Sequence, residues 1–136
     1  MGIALLDSSV IAAYLDSGDA LHGAATGRLR ELDRDPRSRF IVSAVTFMEV
    51  LVGGHRGHHA DAAIRRFFDR VVAEVTPFET ATAERAAVLR ARWGLRTPDA
   101  MILAAADLRG ADLVLTGDQR WRSVDDVSPV IEILSA

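Results

Sequence analysis

Short apolar runs alternate with longer amphipathic stretches along this chain. Ile3-Ala4-Leu5-Leu6 is an unbroken apolar run that stops at Asp7, the pattern of a short buried strand. Ser8 and Ser9 are placed to cap a helix carrying Val10, Ile11, Tyr14 and Leu15, which Asp16-Ser17-Gly18-Asp19 breaks. Leu21, Ala25, Leu29 and Leu32 then recur at helical spacing as far as the turn Asp35-Pro36-Arg37-Ser38. Phe40-Ile41-Val42 reads as a second strand. Ser43 caps a predicted helix from Ala44 to about Val52, which Gly53-Gly54 terminates. A further helix is predicted from about His59 to Val72, with Ala63, Phe67 and Val71 on one face. A weak strand, Glu74-Val75-Thr76, follows and is closed by Pro77.

The C-terminal half repeats the rhythm. A helix is predicted from about Thr80 to Trp93, with Ala83, Ala86, Ala87 and Arg90 in periodic positions. Thr97-Pro98-Asp99 is the clearest helix start: a capping residue, a proline at the first helical position and a carboxylate on the positive end of the dipole. That helix ends near Arg109-Gly110. Asp112-Leu113-Val114-Leu115 is the predicted fourth strand, Thr116-Gly117-Asp118 the loop after it, and Val130-Ile131-Glu132-Ile133 the last strand. Short apolar strands alternating with helices require a parallel sheet covered on both faces, so the predicted fold is a three-layer α/β/α domain. No linker, repeat or low-complexity tract divides the 136 residues, and residues 1–136 are read as one domain.

Composition narrows the chemistry. The chain has no cysteine, which excludes disulfides and thiolate metal sites. No basic segment followed by a long apolar run opens it, so neither a signal peptide nor a membrane span is expected, and the expected location is cytoplasmic. The net charge of −3 is unfavourable for contact with RNA. Two features offset it. All the basic residues are arginines, the side chain that grips phosphate with two hydrogen bonds. If four acids are committed to a metal, the remainder of the chain is net positive.

Those four acids are Asp7, Glu49, Asp99 and Asp118. Ligands of an open parallel sheet bind beyond the carboxyl ends of its strands. Asp7 ends the first strand, Asp118 lies in the loop after the fourth, Glu49 is in the helix entered from the second, and Asp99 opens the helix that leads into the fourth. Val45, Glu49 and Val52 share one helical stripe flanked by Met48, which turns Glu49 inward, where an acid needs a partner. Each acid also has an ordinary reading, as cap, exposed helix residue, N-terminal helix residue or turn aspartate. Joint placement carries the case. Two charges about 6 Å apart at an effective dielectric near 20 repel by roughly 3 kcal/mol. Several such pairs would rival the whole stability of a small domain, typically about 5–15 kcal/mol. Protons or a cation must relieve that load. An all-oxygen site favours magnesium or manganese, and such an ion suits phosphodiester hydrolysis.

Leu5-Leu6-Asp7-Ser8-Ser9, Ser43-Ala44-Val45-Thr46-Phe47-Met48-Glu49, Leu95-Arg96-Thr97-Pro98-Asp99-Ala100 and Leu115-Thr116-Gly117-Asp118-Gln119-Arg120-Trp121 stand in that order and spacing over nearly the whole chain. With them the chain resembles a PIN-domain protein, and more narrowly a VapC-type toxin ribonuclease of a type II toxin–antitoxin system. The resemblance implies that Asp7, Glu49, Asp99 and Asp118 coordinate Mg2+ (Mn2+ as a substitute), directly or through water, with Ser8 and Thr116 hydrogen-bonding around them. It also implies endonucleolytic cleavage of RNA, a homodimer, and inhibition by a small cognate antitoxin.

Three features stand outside that pattern. His55, His58 and His59 have a spacing open to a transition metal, but with no further histidine nearby they are read as a solvated helix lead-in. Trp121 is read as packing at the sheet edge, with stacking on a base as the alternative. Arg96, Arg120 and Arg122 neighbour the acids and are candidates for RNA contact, with surface ion pairs an equal reading. Competing functions are a phosphoacceptor receiver domain, which needs a lysine that this chain lacks, a non-catalytic module on the same scaffold, and a PIN nuclease of RNA processing or DNA cleavage.

Overall fold

The computed structural model describes residues 2–136. Five parallel strands, β1 (Ile3–Leu6), β2 (Arg39–Ser43), β3 (Val72–Thr76), β4 (Leu113–Thr116) and β5 (Val130–Ile133), form one sheet in the order β3-β2-β1-β4-β5. The helices are α1 (Ser8–Leu15), α2 (His22–Asp33), α3 (Ala44–His55), α4 (Asp61–Arg70), α5 (Thr80–Trp93) and α6 (Thr97–Arg109), with a 3-10 turn at Gln119–Ser123.

Strand alternation sorts the side chains into two cores. Ala4, Leu6, Phe40, Val42, Leu113 and Leu115 face one side, against α1, α2 and α4. Leu5, Ile41 and Val114 face the other, against α5 and α6. Helix α3 serves both, giving Val50 to the first and Val45 to the second. Each fully buried Leu, Ile or Val of the central strands contributes about 1.5–3 kcal/mol of transfer free energy. The result is the expected three-layer α/β/α arrangement. Strand order reverses beside β1, because β2 and β3 extend to one side and β4 and β5 to the other. The crevice between the carboxyl ends of β1 and β4 is therefore the topological switch point.

Several local expectations are corrected. Neither Ser8 nor Ser9 caps α1: the cap position is Asp7, and no side chain closes it. Thr97 likewise lies inside α6, after Arg96 at the cap position, although Pro98 does occupy the first turn. Gly53-Gly54 does not end α3, which continues to His55. Two glycines cost about 2 kcal/mol of helix propensity, but hydrogen bonding and packing on α4 carry the helix through. Helix α4 is shorter than predicted because it ends at Arg70, with Val71 at the cap position, and Val72 leaves for β3, whose pairing with β2 outweighs helical periodicity. Strand β4 starts at Leu113, since Asp112 uses its carboxylate to accept the Ile3 amide at 2.8 Å, and it includes Thr116. On α3, Met48 and Val52 are exposed rather than part of a buried stripe.

Candidate functional site

The two central strands deliver the heart of the site. Asp7 follows β1, is only 5 % exposed, and its amide donates to the Leu115 carbonyl, which ties it to the end of β4. Two hydroxyls donate to the same carboxylate oxygen: Ser9 Oγ and Thr116 Oγ1 each lie 2.8 Å from Asp7 Oδ2. Each hydroxyl in turn accepts from a backbone amide, Ser9 from Gly117 at 2.8 Å and Thr116 from Asp118 at 3.0 Å. Those amides occupy hydroxyl lone pairs and leave the hydroxyl protons for Asp7. The loop can come this close because residue 117 is glycine; a Cβ there would stand 2.6 Å from Leu21 Cδ1.

Glu49 reaches the same place from α3. It is half-buried, and among the described residues its Oε1 is buried without a hydrogen-bond partner. Asp99 enters from the first turn of α6, and Asp118 from the loop after β4. All four carboxylates, with Ser8, Ser9 and Arg96, line one cavity of about 360 Å³. Burial pushes the Asp7 carboxyl above its ordinary range; the Ser9, Thr116 and Ser8 hydrogen bonds offset part of that, and the Asp99 charge adds to it. Glu49 is raised by burial first and by the Asp7 charge next, against a hydrogen bond from Ser8. Two neighbouring acids pushed the same way, Glu49 partly by the Asp7 charge and both partly by Asp99, are the electrostatic load foreseen for such a cluster.

The other two acids are answered by cations. Arg120 forks onto Asp118, with Nε 3.0 Å from Oδ1 and Nη2 2.7 Å from Oδ2, and this hydrogen-bonded guanidinium pulls the Asp118 carboxyl below its ordinary range. Arg96 Nε donates to Asp99 Oδ2 at 3.2 Å. Among the described residues no three His, Asp or Glu side chains are gathered closely enough to hold a metal ion. The donor chemistry nonetheless suits a hard cation: oxygen ligands only, two raised carboxyls and an orphaned Glu49 oxygen.

The sequence matches the PIN domain profile over residues 4–127. The chain belongs to the PIN domain family. No curated protein sequence matches it significantly. Among solved structures, this PIN domain is similar to a toxin–antitoxin complex from Klebsiella pneumoniae at 26 % identity and TM-score 0.71, covering 89 % of this chain and 92 % of that one. VapBC2 from Rickettsia felis, solved with a DNA fragment of its promoter, shares the fold at 13 % identity and TM-score 0.77, over 98 % and 99 % of the two chains. VapC20 from Mycobacterium tuberculosis, a Sarcin-Ricin loop cleaving toxin, shares it at 24 % identity and TM-score 0.64, over 82 % and 86 %.

Within this PIN domain, Ser8 and Thr116 do stand beside the carboxylates, but Ser9 is the hydroxyl that partners Asp7 with Thr116. The signal for Ser9 was weak: a hydroxyl two residues beyond a strand-ending acid, on the first turn of a helix. Arg96 lines the cavity and Arg120 binds Asp118, whereas Arg122 turns aside to Gln119. Trp121 is fully buried in the α5–α6 core, which rules out stacking on a base. The histidine stretch is corrected as well. His55 and His58 are exposed, as a solvated segment requires, but His59 is half-buried, and His58 and His59 line the acidic cavity, which the lead-in reading did not include.

Proposed function

We propose that this PIN domain is a magnesium-dependent endoribonuclease, the toxin of a toxin–antitoxin pair, and that residues 1–136 act as a single PIN-like domain. The observation that carries this reading is the convergence of four carboxylates from four separate segments on one cavity, with Asp7 buried among hydroxyl donors and, among the described residues, in no ion pair. Asp7, Glu49, Asp99 and Asp118 would hold Mg2+, or Mn2+ in its place, directly or through water. A bound ion of this kind supplies a water of lowered pKa and stabilises charge on the leaving oxygen of an in-line displacement.

The chain's own groups do the positioning. Ser9 and Thr116 hold Asp7 in one orientation, Ser8 steadies Glu49, and Arg96 and Arg120 are within the site's reach to pair with substrate phosphates. Similarity to the Klebsiella pneumoniae complex favours the toxin role over RNA processing or a non-catalytic module. On this reading the partners are RNA, a small cognate antitoxin and a second copy of the chain, in the cytoplasm. Among the described residues no helix is long and apolar enough to cross a membrane.

Purified protein incubated with total RNA tests the reading. Cleavage is expected with Mg2+, none with chelator, and a loss of at least about 100-fold for Asp7→Ala, the usual scale for removing a group that organises the transition state. Equal cutting in all three samples would mean that these carboxylates are not the active centre. Cutting without growth arrest on expression would separate a processing nuclease from a toxin.

A further inference from the structure

Two histidines reach the acidic cavity through a turn that has no part in placing the carboxylates. Helix α3 is closed by Gly57, whose φ of +78° lies in the left-handed region. The His58 amide donates to the Gly53 carbonyl at 2.9 Å, and the Gly57 amide to the Gly54 carbonyl at 3.0 Å. This pair of bonds is a Schellman closure. It reverses the chain, so that His58 and His59 return over the last turn of α3, one helical turn beyond Glu49. Gly53 leaves the space for them: a Cβ there would come within 3.3 Å of His59 Cδ2, closer than ordinary van der Waals contact. His58 is exposed and His59 half-buried, and both line the cavity that holds Asp7, Glu49 and Asp99.

His59 Nδ1 is buried and, among the described residues, has no hydrogen-bond partner. A shielded ring nitrogen without an acceptor is less costly as a lone pair than as an orphaned N–H. In the neutral ring this favours the proton on Nε2 over Nδ1. The cavity itself is strongly negative, so a polyanion crossing it must be held by donors around the acids. Arg96 is one such donor on the wall. We propose that His58 and His59 are a second one: a phosphate-binding rim whose ring N–H groups donate to a non-bridging oxygen of a phosphate flanking the bond that is cut. The histidines are substrate-positioning residues on this account, and the inference rests on the ribonuclease reading above.

The test uses Asp7→Asn as a non-cleaving reference and a short fluorescent single-stranded RNA with Mg2+, followed by anisotropy. Adding His59→Ala to the reference should raise Kd about tenfold or more, the loss of one hydrogen bond to a charged group. His58→Ala, at an exposed position with no fold to disturb, should raise it several-fold. His59→Gln, which restores an N–H near the Nε2 position, should recover most of the affinity at an unchanged melting temperature. In the cleaving protein the same alanine changes should raise KM with little effect on kcat. Unchanged affinity in both alanine variants, or no recovery in His59→Gln, overturns the histidine rim alone. A reference that binds no RNA at all overturns the ribonuclease reading, and this inference with it.

Discussion

Asp7 and Asp107 are both carboxylates of low exposure, each served by three hydrogen bonds, and they respond in opposite directions. Asp107, near the C-terminal end of α6, receives Arg85 Nε at 2.7 Å and both the amide and the hydroxyl of Ser128 at 2.8 Å. Burial works to raise it, but the Ser128 and Arg85 contacts prevail and its carboxyl titrates below the ordinary range. Asp7 has the two hydroxyls of Ser9 and Thr116 and the Ser8 backbone, and its charged neighbour Asp99 is negative; burial prevails, and it is raised. Counting hydrogen bonds would make the two sites equal. The difference begins with depth, since Asp7 is buried and Asp107 only half-buried; beyond that, Arg85 adds to the Ser128 bonds at Asp107 where Asp99 adds a repelling charge at Asp7. That separates an acid that stabilises the fold from one held ready for something else. Arg109 on Glu74 and Arg92 on Asp126 belong with the matched class, as does Arg28 on Glu132.

Three substitutions would break or sharpen that contrast. Arg85→Ala should have the largest effect on stability, a loss of about 1.5–2.5 kcal/mol by urea titration, because Asp107 keeps its burial and loses its cation while the Asp126 carbonyl loses a donor. A loss below about 0.5 kcal/mol would mean that Ser128 alone satisfies Asp107, and the comparison fails. Asp7→Asn should act the other way, stabilising by about 1 kcal/mol at neutral pH, or roughly 3–5 °C in Tm. The sign follows from proton counting. With Asp7 raised above its ordinary 3.8 and Glu49 above 4.5, the native state holds more protons than the unfolded chain between those ordinary values and the raised ones. Stability contributed by these two groups is therefore greatest at low pH and is lost as pH rises through the raised values. Asp7→Asn should flatten that slope in a pH series of melts. Mg2+ at ten times its Kd should restore about 1.4 kcal/mol to the parent protein at pH 7 and much less to the variant. A parent whose stability rises through that window, relative to Asp7→Asn, would contradict the unmatched state of Asp7. At the bottom of the scale, Arg65→Ala removes an ion pair with Asp61 whose side chains are 76 % and 75 % exposed. It should shift Tm by no more than the scatter between repeats.

Strand positions and the α/β/α layering were legible because β1, β2 and β4 are buried on both faces and so read as continuous apolar runs. Four acids near the strand ends were legible for the same reason: once the strands are placed, topology dictates which loops share an edge. Boundaries decided by tertiary pairing were not. Val72 reads as helix by periodicity and is strand by its pairing with Phe40. The Gly53-Gly54 pair reads as a stop, yet the helix runs on to His55 and its closing turn falls at Gly57, where the left-handed conformation is available. The counter-charges were partly legible: Arg96 and Arg120 lie near the acids in sequence, whereas Arg85 and Asp107 are 22 residues apart and carry no motif. Ser9 and the two cavity histidines depend on how side chains fall across α1 and the α3–α4 turn, which spacing alone does not specify.

The bond between Thr116 and Asp7 spans 109 residues. During synthesis at about 5–20 residues per second, the segment holding Asp7 leaves the ribosome well before β4 does. Until that later strand arrives, β1 lacks one of its two neighbours, and Asp7 has neither Thr116 nor the Gly117 amide that sets Ser9. A nascent chain therefore carries its first acids without the pocket that unites them, and whatever chemistry the pocket performs is withheld until β4 and its following loop have been made.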